Sequence, residues 1–179
     1  MQLDEAKTTT NSSPNQMILE LEERVIAAVN NTGVPHQIIA IDPNFSDTAA
    51  FCERYGFLPE QTCNTIIVIS KKGPKRIAAC VLAANARLDV NKRVKNLLGV
   101  QKASFASAAE MVALTGMEMG GVTPFALPMG IPLYVDAQVM KPDWVILGGG
   151  SRRIKIQINP EALTRLGAQV IQGLALVEN

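Results

Sequence analysis

At 179 residues the chain is about one domain long, and its 47% hydrophobic content supplies a sizeable core. Basic and acidic residues nearly cancel, 17 against 16 for a net charge of +1, which excludes a polyanion binder held by bulk charge and leaves any nucleic-acid contact to local patches. One Trp, two Tyr and five Phe are too few for a surface that grips single strands mainly by stacking, and the single histidine excludes a two-histidine metal site.

Residues 1–15 are polar with no apolar h-region, so they read as a flexible tail rather than a signal peptide. Ser13-Pro14-Asn15-Gln16 has the form of a capping box and predicts a helix to about Asn31, with Met17, Leu21, Val25 and Val29 on its core face. A short strand over Gln37 to Ile41 and a helix from Ser46 or Asp47 to Gly56 follow. Thr65 to Ile69 and Ile77 to Leu82 form a predicted hairpin with a charged turn, both strands apolar enough to be covered on two faces. A basic helix is expected from Asn91 to Leu98, and Ser107 to Glu110 is a second capping box, opening a helix to Leu114. Strands are predicted at Leu133 to Asp136, Trp144 to Leu147, Ile154 to Ile158 and Val170 to Val177, with a short helix starting at Asn159-Pro160-Glu161. Residues 16–179 are therefore expected to form one α+β domain, a twisted mixed β-sheet surrounded by helices. No run of 18 apolar residues occurs, so no membrane partner is expected.

Three cysteines without a C-x-x-C pair indicate neither a disulfide framework nor a zinc knuckle. The expectation is a reducing cytoplasm, with no metal and no cofactor. Cys63 and Cys80 fall in strand patterns and read as core residues, and His36 reads as structural. No phosphate-loop, dinucleotide-binding or G-x-S-x-G pattern is present. The basic clusters at Lys71 to Arg76, Lys92 to Lys95 and Arg152 to Lys155 read as solvated edges unless they converge in space.

Two glycine-rich segments stand out. Gly120-Gly121, ahead of Val122-Thr123-Pro124-Phe125, lets a ligand approach the main chain, and its N–H groups could hold a developing oxyanion; taken by itself the segment reads first as a bulge or bend entering a strand. Gly148-Gly149-Gly150-Ser151 is either a hairpin turn or a pocket rim.

In order, Glu60 to Val68, Leu114-Thr115-Gly116, Gly120 to Phe125, Tyr134-Val135-Asp136 and Gly148-Gly149-Gly150 before Ile156 resemble the YbaK/ProX family, which comprises aminoacyl-tRNA deacylases and the editing domain of bacterial prolyl-tRNA synthetases. The resemblance runs from about residue 16 to 177 and puts the family's G-x-x-x-P motif on Gly120 to Pro124. It implies a YbaK-like mixed α/β fold and trans-editing hydrolysis of the ester joining a wrong amino acid to the terminal adenosine of tRNA. By the same resemblance the catalytic positions are Asn64, Gly120 and Gly121, and the substrate-binding ones are Thr65, Thr123, Pro124, Phe125, Asp136, Gly149, Gly150 and Ser151. Asp136 has a bland alternative as a strand-end cap or surface ion pair. The implied partners are the acceptor end of aminoacyl-tRNA and an aminoacyl-tRNA synthetase, without DNA.

One departure bears on activity. Active members usually carry a lysine immediately before the Thr-Ile strand, where this chain has Asn64, a hydrogen-bonding group without charge. Loss of a charge-assisted contact worth roughly 1.5–3 kcal/mol slows a reaction on the order of tenfold to a hundredfold. Lys71, further along the strand, would lie roughly 23 Å away at about 3.3 Å per residue, while Lys102 or Arg152 could reach in from another element. The alternative is a weak or silent homologue that binds aminoacyl-tRNA, aminoacyl-adenosine or a free amino acid.

Overall fold

The Ser13 hydroxyl accepts the N–H of Gln16 at 3.3 Å, and Pro14 occupies the first helical position, where no N–H is required. Helix α1 (Pro14–Asn31) starts there and buries Leu21, Val25 and Val29, spaced one turn apart. The computed structural model describes residues 12–177; the expected tail lies outside them up to Asn11. The chain continues through β1 (His36–Ala40), α2 (Thr48–Tyr55), β2 (Cys63–Lys72), β3 (Ile77–Ala83), β4 (Ala86–Leu88), α3 (Lys95–Leu98), β5 (Lys102–Phe105) and α4 (Ala108–Thr115). It closes with β6 (Leu133–Asp136), β7 (Val145–Gly148), β8 (Ile154–Ile158), α5 (Glu161–Arg165), β9 (Gln169–Ile171) and β10 (Ala175–Val177).

The fold is a mixed α+β domain, built on three sheets where the sequence suggested one. Five strands in the order β5-β2-β3-β6-β9 form the mixed sheet, antiparallel from β5 to β3 and parallel from β3 to β9. A separate antiparallel sheet, β1-β8-β7, packs alongside, and β10 pairs with β4. The strand expected over Val170 to Val177 is therefore two strands, broken where Gly173 adopts φ +64°. The expected basic helix begins as a π-helical turn over Val90–Val94, with Asp89 capping the N–H of Lys92, before α3 ends at Gly99. The Ser107–Glu110 capping box forms in full.

Strand β3 is buried on both faces because it lies between two apolar clusters. Ala79 and Val81 pack with α1 and α5, whereas Ala78, Cys80 and Leu82 pack with Leu88, Val94 and Leu98 on the other side. A third cluster joins Phe51 of α2 to Ile41 and Ile146, with the Phe51 and Phe57 rings stacked at 5.1 Å. The two larger sheets meet where Ile146 donates its N–H to Gln61 O at 2.7 Å and Thr62 bridges Ile146. That junction sets the start of β2 beside the end of β7 and fixes where the site can form.

Candidate active site

At the junction lies a cavity of about 240 Å³, lined among others by Thr48, Asn64, Thr65, Gly120, Gly148 and Lys155. Strand alternation sends Asn64 and Thr65 to opposite sides of β2, and both border the cavity. The Thr48 hydroxyl donates to Asn64 Oδ1 at 2.5 Å, so the Asn64 carbonyl oxygen is committed to α2. The Thr65 hydroxyl is different: the residue is 8% exposed, and its Oγ1 has no hydrogen-bond partner. A buried hydroxyl without a partner costs free energy unless something arrives to satisfy it.

Gly120 lines the cavity and Gly121 does not. The Gly121 N–H donates to Glu118 O at 2.9 Å, closing a turn, and its carbonyl accepts the N–H of Gly150 at 2.7 Å. The Gly121 amide is thus unavailable to an oxyanion; this glycine is required for packing, because a Cβ on it would meet Gly150 O at 2.8 Å and the Ser151 carbonyl closer still. Gly120 adopts φ +84°, and its carbonyl accepts from Ser46 Oγ and from Lys155 Nζ, both at 2.8 Å.

Several residues assigned to the site by resemblance lie off the cavity wall, in structural contacts. Phe125 is fully buried in the main core, Pro124 is buried beside it, and the Thr123 hydroxyl accepts the N–H of Phe125 at 3.5 Å. Asp136 is the strand-end cap: Oδ1 accepts from the N–H of Gln138 and Oδ2 from that of Ala175, both at 2.9 Å, and it does not border the cavity. Ser151 is buried with its hydroxyl on Glu22 at 2.5 Å, and Gly149 and Gly150 form the β7–β8 turn, leaving Gly148 as the member of that segment on the cavity wall.

Charge reaches the site from the cluster that the sequence placed at a solvated edge. Lys155, on β8, is 5% exposed, and its ammonium donates to Ser46 O and Gly120 O, each at 2.8 Å. Its Nζ also lies 5.4 Å from the centre of the Phe51 ring. Burial pushes Lys155 down to about 8; the Asp47 carboxylate opposes that shift and the Arg152 guanidinium adds to it. Arg152 stays at the rim, where it binds Asp47 at 3.2 Å, Met119 O at 2.7 Å and Pro43 O, tying the glycine loop to the start of α2. Lys71 instead pairs with Glu110 at 3.3 Å, Arg153 pairs with Glu22 at 2.9 Å, and Lys102 does not border the cavity. The period-two pattern of β8, with Ile154, Ile156 and Ile158 buried, is the one signal in the sequence that Lys155 faces the other way, and it does not say whether that face is wet.

Cys63 also borders the cavity, but burial pushes its thiol up to about 12, so it stays protonated and is a poor nucleophile near neutral pH. His36 Nδ1 lies 3.0 Å from Val34 O, away from the site. Among the described residues no cluster of three His, Cys, Asp or Glu could hold a metal ion, and no helix is long and apolar enough to cross a membrane.

Next to this polar cavity, and sharing Thr65, Ile66, Met119 and Val122 with it, is a second, apolar compartment of about 220 Å³. Phe105 and Met119, each 53% exposed, stand at its edge.

The model of the aminoacyl-tRNA editing domain matches residues 42–166, which includes every residue named on the cavity wall. The chain belongs to the aminoacyl-tRNA editing domain family. Among its relatives, the "Uncharacterized protein YwhH" of Bacillus subtilis (strain 168) is 33% identical over 89 residues, half of this chain and 55% of that protein. The "Putative Cys-tRNA(Pro)/Cys-tRNA(Cys) deacylase EbsC" of Enterococcus faecalis (strain ATCC 700802 / V583) is 26% identical over 64% of this chain and 68% of its own. The crystal structure of the hypothetical protein APE2540 superposes with a TM-score of 0.77 at 27% identity, covering 86% of this chain and 99% of that one. A structure described as a putative trans-editing enzyme for prolyl tRNA synthetase superposes at 0.73 with 24% identity, covering 94% and 99%, a likeness of fold. The editing-domain fold expected from the ordered motifs is thereby established, with its cavity at the sheet junction.

Proposed function

We propose that the protein hydrolyses the ester between an amino acid and the terminal adenosine of mischarged tRNA, acting in trans. The observation that carries this reading is the unpartnered Thr65 hydroxyl, buried in the wall of a cavity shared with Asn64 and Gly120 in an editing domain. Water is the nucleophile, oriented by the neighbouring ribose hydroxyl, and the acyl group lies in the polar cavity against Thr65 and the Gly120 main chain. Of the two glycine amides expected to hold the oxyanion, only that of Gly120 remains a candidate, since Gly121 spends its own in the turn.

The adenine base lies across the apolar compartment, on Phe105 and Met119. That compartment is contiguous with the polar cavity, opens to the surface and offers an aromatic face, which suits a base covalently attached one sugar away from the ester. A competing reading, a silent homologue that only binds aminoacyl-tRNA or aminoacyl-adenosine, draws support from the uncharged Asn64 in the wall.

The test is a deacylation panel of tRNAs charged with small and polar amino acids, beginning with Cys-tRNA(Pro), the substrate class in EbsC's name, with and without a prolyl-tRNA synthetase. Release of amino acid from at least one member is expected. Tight binding without turnover across the panel would favour the silent homologue. On the substrate that is cleaved, Phe105→Ala should raise KM about tenfold, the loss of one base stack, and leave KM for the methyl ester of the same amino acid unchanged.

A further inference from the structure

Lys155 is costly to the fold. A buried ammonium normally has a carboxylate partner to offset its desolvation, and among the described residues none lies within ion-pair distance of its Nζ. Its partners are two carbonyl oxygens, Ser46 O and Gly120 O, which use two of the three donors an ammonium has. Among the residues lining the cavity it alone carries positive charge.

We propose that the third N–H of the Lys155 ammonium receives the ester's carbonyl oxygen and holds the negative charge that develops there during hydrolysis. The inference rests on the ester-hydrolysis reading above. A water oxygen adds to the carbonyl carbon, and the C=O electron pair moves onto the oxygen bound by Lys155. Collapse of that oxyanion breaks the bond to the ribose oxygen, which leaves with the proton that the water gave up. The products are free amino acid and uncharged tRNA.

The geometry suits this task. Two carbonyl anchors on separate segments, the start of α2 and the glycine loop, fix the ammonium in advance, so it need not reorganise as the charge forms. The Phe51 ring excludes water on one side and strengthens any charge interaction on the other. The other donors on the wall bring no positive charge: the Thr65 hydroxyl, the Gly120 N–H and the Asn64 amide are neutral, Cys63 is a protonated thiol, and Arg152 at the rim is occupied by Asp47, Pro43 O and Met119 O.

The charged groups facing Lys155 are Asp47, at the N-cap of α2, and Arg152 in the β7–β8 turn, whose N–H is held by Glu118; the Cys52 thiol also acts on it, and Cys63 shares the cavity wall. Since the charged form does the work and Lys155 is held near 8, kcat/KM of the wild type, corrected for hydroxide-driven hydrolysis, should be flat below pH 8 and fall above it. A lysine acting as general base would give the opposite limb, rising through pH 8.

The experiment uses the full chain and whichever aminoacyl-tRNA it cleaves. Lys155→Met should lower kcat about 10²–10³-fold with little change in KM, with a melting curve beside it to show that the variant folds. Lys155→Arg keeps a charge that does not titrate and should abolish the alkaline decline. Undiminished kcat in Lys155→Met, a wild-type profile rising through pH 8, or a defect confined to acidic amino acids would overturn the inference and leave the deacylase reading standing. No hydrolysis by the wild type of any panel member would overturn that reading and this inference together. The wild-type pH profile needs no variant to fold.

Discussion

Gly121→Ala should melt about 6–12 °C below the wild type in a thermal scan followed by circular dichroism. Its backbone φ is not in the left-handed region, so conformation alone does not demand glycine. Space does: the new methyl group would sit 2.8 Å from Gly150 O and even nearer the Ser151 carbonyl, atoms of main chain rather than of a side chain that can swing aside. The contact is also reciprocal, because a Cβ on Gly148 would approach the main chain of Gly121, 2.8 Å from its carbonyl carbon. Two backbones stitched by Gly150 N–H to Gly121 O and Glu118 N–H to Gly150 O cannot separate without losing both bonds. Overpacking typically costs 1–3 kcal/mol, and about 3 kcal/mol is expected where both sides are backbone. For a chain of this length each kcal/mol is worth about 2–4 °C. Gly56→Ala is the control: Gly56 has φ +74° and nothing within 4 Å of an added Cβ, so it should lose only the left-handed penalty of about 1 kcal/mol. Equal melting of Gly121→Ala and wild type would mean that the glycine loop does not lie on the β7–β8 turn.

Thr65→Val is expected to separate stability from activity. The substitution nearly preserves shape while removing a buried hydroxyl that has no partner, so the folded protein should gain about 1 kcal/mol and melt a few degrees higher. Activity should move the other way. If the hydroxyl bonds the acyl group during reaction, its loss removes one preorganised donor, and kcat should fall roughly a hundredfold. Steady-state kinetics on the cleaved aminoacyl-tRNA, beside a melting curve, reads both effects. A stable variant with full kcat would remove Thr65 from the site. The opposite signs matter, since a simple packing defect lowers both quantities.

Much of the secondary structure was legible in the sequence because its signals are local. The caps at Ser13 and Ser107, the stop at Gly99, the β2–β3 hairpin and the short helix after Pro160 each depend on residues within a turn of one another. The split of the last strand at Gly173 and the short β4 and β5 were missed, because three or four residues carry too little periodicity to register. Of the segments the resemblance assigned to the site, Asn64 and Thr65 on β2 share one cavity with Gly120, and the Gly148–Ser151 segment reaches its wall at Gly148. Asp136 does not join them, because its carboxylate is held by the N–H groups of Gln138 and Ala175.

What the sequence by itself determined was the family, carried by blocks in a set order, and the positions where backbone must be bare of side chains. What only the tertiary structure decided was which polar groups are dry and which atom of each faces inward. Lys155 reads as one more member of a basic surface run until β8 is laid between β1 and β7 and its side chain is covered by α2. Burial is a property of what packs on top, and elements more than a hundred residues away supply that cover: Ser46, whose carbonyl receives the ammonium, is 109 positions from Lys155. No local pattern can encode a partner that distant, and the desolvation that gives this lysine its chemistry arises only when the two segments meet.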